Sequence, residues 1–86
     1  MAGIPFSTPT QVGAAIRGAR IRAGITQAEL AERAGVSRRW LIAVEAGDGQ
    51  RAELGKVLDT LDSLDLAIVA EQRGNHDGLL DLLDGT

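Results

Sequence analysis

Apolar positions recur along most of this chain with the period of an α-helix, and glycines interrupt the pattern. Val12, Ile16 and Ala19 follow one another at spacings of four and three, which places them on one side of a first helix ending at about Ala23. Thr8 and Pro9 supply its start, a capping hydroxyl followed by a residue that needs no N–H partner. Gly24 stops it. Thr26, with Glu29 three residues on, forms a capping box for a second helix that runs to Ala34. Gly35 makes a sharp turn, Ser37 caps a third helix that continues to Ala46, and Gly47 ends that helix. Beyond the polar loop "GDGQR", Leu54, Val57, Leu58, Leu61 and Leu64 predict a fourth helix with one apolar stripe.

After Asp65 the period changes. "LAIVA", residues 66–70, is a short continuous apolar run with two β-branched residues, the pattern of a strand buried on both faces. Leu66, Ile68 and Ala70 face one way, with Ala67 and Val69 facing the other. A lone strand leaves its backbone groups unpaired, and in one chain its only mate is the arm "IPF". Pairing with the same segment of a second subunit solves the problem, with Leu61 and Leu64 of the fourth helix giving cover. Leu61, Leu64, Leu66, Ile68 and Val69 are therefore the expected dimerisation residues. The chain divides into an arm (1–7), a helical domain (8–64), a dimerisation strand (65–73) and an acidic, leucine-rich tail (74–86). In the tail, Leu79, Leu80 and Leu83 share a helical face that suits either a disordered tail or docking on a partner protein.

Composition narrows the function classes. Eighty-six residues suffice for one small domain whose core is marginal enough that a partner subunit is expected to complete it. Cysteine is absent, so neither a disulfide framework nor a thiolate metal site forms, and a reducing cytosol suffices. No apolar run approaches the roughly 18 residues of a membrane span, and the N-terminus lacks the regions of a signal peptide, so the expected location is cytoplasmic. Asp59, Asp62 and Asp65 recur every three residues, but carboxylates opposite an apolar stripe form a solvated face and no calcium loop accompanies them. No enzyme is expected: His76 sits in the linker, and Ser7, Ser37 and Ser63 have no evident base beside them. No cofactor is implied.

The net charge of −3 conceals an asymmetry. Through Arg51 the chain carries seven arginines against four acids; beyond it, two basic residues face eight acidic ones. One half is suited to phosphate and the other is not.

Two helices joined by a short glycine turn cross closely, and each requirement of that crossing is met. Ala31 is small, Gly35 turns, and Leu30, Ala34, Val36, Leu41 and Val44 fill the angle. The stretch "IRGARIRAGITQAELAERAGVSRRWLIAVEAGDG" resembles the helix-turn-helix domain of the Xre and phage-repressor type over about residues 10–64. The resemblance rests on an arginine in the first helix, "TQ" opening the second, "GVS" at the turn and a glutamate near the end of the third. It implies a mainly all-α, four-to-five-helix lambda-repressor-like domain in which Arg20 and Glu45 pair internally. The flanks "STPTQVGAAIR" and "LGKVLDTLDSLDLAIVAEQ" are similar to those of Hip-type antitoxins and extend the match to about residue 72. That narrower resemblance implies a homodimer whose C-terminal strands pair across the axis. It also implies binding to double-stranded operator DNA that represses its own operon, and a kinase-fold toxin as partner. Two alternatives are a free-standing Xre-type regulator with no toxin, and a protein-interaction module that does not bind DNA.

In such a motif the second of the two helices lies in the major groove with its N-terminal residues toward the bases. Ser37, Arg38 and Arg39 are the first candidates, since an arginine fork matches guanine O6 and N7 or a phosphate. By resemblance, Gln27 holds a backbone phosphate while its side chain reaches a base. Thr26 adds a phosphate contact or serves only as a cap. Arg17, Arg22 and Arg51 are phosphate ligands or ordinary solvated arginines. Ile42 and Ala43 lie on the groove side and offer methyl groups. Trp40 packs at the core edge beside the first helix or lies against the DNA backbone.

Overall fold

Three of the four helices begin where a side-chain oxygen takes up a free backbone N–H, in a computed structural model that describes residues 5–72. The elements are α1 (Pro9–Ala23), α2 (Gln27–Ala34), α3 (Arg38–Glu45) and α4 (Leu54–Asp62). Gln11 N donates to Thr8 Oγ1 at 3.1 Å, and Thr8 N donates back to Gln11 Oε1 at 3.1 Å, so α1 opens on a full capping box. The expected box of α2 is present, with Glu29 N to Thr26 Oγ1 at 3.1 Å and Thr26 N to Glu29 Oε1 at 3.0 Å. The Thr26 backbone N–H, followed by its side chain, holds the Glu29 carboxyl below the usual carboxylate range. Ser37 Oγ accepts from Trp40 N at 3.0 Å and starts α3.

The helix ends share one geometry. In each, an N–H reaches back to the carbonyl five residues earlier: Ile25 to Arg20 at 3.3 Å, Val36 to Ala31 at 3.0 Å, Asp48 to Ala43 at 2.9 Å and Leu66 to Leu61 at 2.8 Å. The residue before each donor has a left-handed backbone: Gly24, Gly35, Gly47 and Asp65, the last at φ 58°. Aspartate is among the few non-glycine residues that tolerate this region. Ile25, Val36 and Leu66 then fold onto the core as the hydrophobic component of these stops.

Ile16, Leu30, Ala31, Leu41, Val44, Val57 and Leu61 form the core. α3 packs against both α1 and α2, and α4 packs against α2. The tightest crossing is at Gly13, in the second turn of α1. A Cβ there would fall inside van der Waals contact with the Val44 carbonyl oxygen and 3.2 Å from that of Glu45. Thr60, fully buried on α4, satisfies its hydroxyl by donating to Lys56 O at 2.8 Å.

The helix boundaries and the α4 stripe differ in detail from expectation. α3 ends at Glu45 with Ala46 as its cap, and α4 ends at Asp62, because Ser63 to Asp65 already form the turn that closes it. The α4 stripe divides: Val57 and Leu61 enter the core, while Leu54 and Leu58 stay exposed. Leu61, 2% exposed, is committed to its own chain's core, and Leu64 packs half-buried against that core. Within the single chain the segment after Asp65 has no ladder partner: among the described residues no strand lies beside it, and the arm residues 5–7 are not one. Leu66 is half-buried, whereas residues 67–70 are all exposed, Val69 at 77%. Residues 1–4, Arg73 and the tail at 74–86, with His76, lie outside the described residues.

Candidate nucleic-acid interface

Leu41 and Val44 anchor α3 in the core, and that fixes which of its residues remain outside. Trp40 is half-buried, packs against the core and borders a crevice shared with Asp48, Gly49, Arg51 and Ala52 of the loop that follows α3. Trp40 thus sits at the core edge, one of the two expected placements. Ala43 is half-buried in the same crevice. The outward face of α3 therefore consists of Arg38, Arg39 and Ile42, with Ser37 exposed at its start. Because Ser37 Oγ accepts the Trp40 N–H, its hydroxyl keeps its own hydrogen as a donor.

The far end of α3 is tied down by a polar cluster. Arg20 Nε donates to Glu45 Oε2 at 2.7 Å and Arg20 Nη2 to Glu45 Oε1 at 2.9 Å, the two-pronged geometry that guanidinium and carboxylate favour. Arg20 Nη1 donates to Ile25 O at 3.0 Å, linking the α1–α2 turn to the same group. The Glu45 side chain is 3% exposed and that of Arg20 13%. Hydrogen bonding to Glu45 raises the Arg20 pKa above its ordinary value, so this arginine stays charged. The expected pair therefore forms, and it joins three elements.

Gln27 belongs to this cluster too. Its Nε2 donates to Glu45 Oε1 at 3.2 Å, which orients the amide from below while α2 carries it at its first position. That contact is invisible in the sequence, where Gln27 reads only as a DNA contact. Thr26 Oγ1 accepts within its capping box, which leaves the hydroxyl hydrogen as a donor.

Arg17, Arg22, Arg33, Arg38, Arg39 and Arg51 are all exposed. Among the described residues the ion pairs are Arg20–Glu45 and Lys56–Glu53, so none of these six is neutralised by a carboxylate within 4 Å. Arg33 stands in the last turn of α2 and adds one more exposed cation to this set. The acids of α4, Asp59 and Asp62, are exposed on a different element. Cationic forks without internal partners, on a helix whose other side is buried, are equipped to bind phosphate and base edges.

A second surface is apolar. Phe6, Pro9, Val12, Leu54, Val57 and Ile68 line an open groove of about 370 Å³, and Leu58 and Val69, the residues next in sequence to two of these, are exposed. Among the described residues, no group of three or more acidic or histidine side chains is placed to hold a metal, and no helix is long and apolar enough to cross a membrane.

Comparison with known proteins agrees with this geometry. A helix-turn-helix domain family model matches residues 11–72. An uncharacterised HTH-type transcriptional regulator, y4mF, of Sinorhizobium fredii (strain NBRC 101917 / NGR234) is 41% identical over 63 residues, covering 73% of this chain and 82% of that protein. Among solved structures, a complex of a HipB variant with an O2 20mer superposes with a TM-score of 0.74 at 26% identity, covering 84% of this chain and 99% of that one.

Proposed function

The chain belongs to the Xre-type, HipB-like helix-turn-helix family and is a DNA-binding transcriptional regulator; from that premise we propose that it is a repressor acting as the antitoxin of a Hip-type operon. In this reading it works in the cytoplasm, binds operator DNA as a homodimer and partners a kinase-fold toxin. The carrying observation is the exposed pair Arg38 and Arg39, which no carboxylate among the described residues neutralises, at the N-terminal end of a helix whose other side is locked in the core. Ser37 and the oriented amide of Gln27 flank that pair. Arg17, Arg51 and Thr26 act as phosphate contacts around it, and Ala43 offers only a partly covered methyl.

Arg38→Ala and Arg39→Ala are each expected to weaken binding to the protein's own promoter without changing the thermal melt. Loss of a base reader costs about 1–3 kcal/mol and relaxes specificity at one position, whereas loss of a phosphate ligand weakens all sequences alike and flattens the salt dependence. Anisotropy at several salt concentrations separates the two, and unchanged affinity in both variants overturns the assignment.

The homodimer is supported by the open groove and by the segment at 67–70 beside it, which has no strand partner among the described residues. A two-fold pair places two copies of α3 about one helical turn apart on DNA. Sedimentation of the full chain tests this, a stable monomer that binds operator tightly being the contrary result. The toxin is supported by the resemblance of both flanks to Hip-type antitoxins. The test is co-expression with the product of the adjacent reading frame. Relief of its growth arrest and co-purification support the antitoxin role, and a neighbour without a kinase fold leaves a free-standing regulator.

A further inference from the structure

The outward face of α3 carries a group that neither phosphate binding nor guanine recognition uses. Ile42 is 44% exposed and is, among the described residues, the one large hydrophobic left open within residues 26–46. A single exposed isoleucine is ordinary on a protein surface, so its setting has to decide its meaning. It lies three and four residues beyond Arg39 and Arg38, one helical turn away on the same face. Trp40 sits at the core edge and leaves that face without an aromatic group.

The major groove offers an aliphatic side chain one complementary feature, the methyl group on C5 of a pyrimidine. Helix neighbours at these spacings stand about 5–6 Å apart. Successive bases rise about 3.4 Å. A methyl met by Ile42 thus lies one or two base pairs from a base met by Arg38 or Arg39. We propose that Ile42 is a specificity-determining residue that reads a pyrimidine C5 methyl one or two base pairs from an arginine-held guanine. The inference rests on the DNA-binding reading above. The methyl belongs to thymine or to a methylated cytosine, which present the same group at the same ring position.

The experiment measures anisotropy of the full-length protein on its own promoter fragment, with deoxyuridine replacing each thymine in turn and 5-methylcytosine replacing each cytosine in turn. Both changes alter one methyl group and leave base pairing intact. In the wild type, one position per half-site is expected to lose about fourfold in affinity on loss of its methyl, or to gain about fourfold on acquiring one, the factor carried by burying one such group. Ile42→Val retains most of the effect. Ile42→Ala abolishes it while leaving the thermal melt unchanged, because residue 42 is outside the core. A response at a thymine or at a cytosine identifies the source. Tight binding that is indifferent to methyl groups at every position overturns this proposal alone, as does a methyl effect that persists in Ile42→Ala. A wild-type protein that binds no promoter DNA overturns the parent reading and this one with it.

Discussion

Replacing Gly13 by alanine is expected to destabilise the protein by about 2 kcal/mol, although alanine is the better helix former. Two opposing effects decide the sign. A glycine in a helix interior costs up to about 1 kcal/mol relative to alanine, so the substitution gains that amount locally. Against it, the new methyl meets the Val44 carbonyl oxygen, a backbone atom of α3 that cannot rotate aside. Forcing extra volume into a packed crossing costs about 1–3 kcal/mol, with the upper end appropriate where backbone must move. Gly18→Ala, in the same helix, is the control. Its methyl meets only the Arg22 guanidinium, at 3.2 Å, the far end of a flexible side chain. That variant is expected to be more stable than wild type, by up to about 1 kcal/mol. Urea denaturation of both variants measures the difference, and a Gly13→Ala protein as stable as wild type shows that the crossing is looser than described.

Glu45→Ala is expected to cost about 3 kcal/mol. The substitution removes the acceptor of three hydrogen bonds, two from Arg20 and one from Gln27, and leaves a charged guanidinium with only the Ile25 carbonyl. Breaking a buried pair from one side costs about 3–5 kcal/mol, and the partial exposure of Arg20 places this case at the lower end. Substituting both partners by methionine is expected to be milder than the single change, because no charge is then stranded. A double variant less stable than Glu45→Ala is the contrary result. Promoter binding should fall with the single variant too, since Gln27 loses its support.

How much of this was legible beforehand depended on how local the cause was. Thr8, Pro9, Thr26, Glu29, Gly35 and Ser37 act on backbone groups within a few residues, and the helices begin and end close to where those residues place them. The Arg20–Glu45 pair spans 25 residues and came only through family resemblance. Gly13 could not be read at all, because a glycine inside a helical pattern looks like a weakness until the carbonyl crossing it is seen. The α4 stripe misled for a related reason. Periodicity says which residues share a face, but only the neighbouring helices determine how much of that face is covered, and here Leu54 and Leu58 were left out. Gln27 had two uses, and its sequence position disclosed one.

The four helix ends, each closed by a hydrogen bond spanning six residues, also bear on time. A chain whose turns are completed by near neighbours has little loop-closure entropy to overcome, and helical domains of this kind fold in about microseconds to milliseconds. Ribosomes add about 5–20 residues per second, so synthesis of 86 residues takes seconds. Folding of this helical unit therefore adds almost nothing to the seconds that its translation takes.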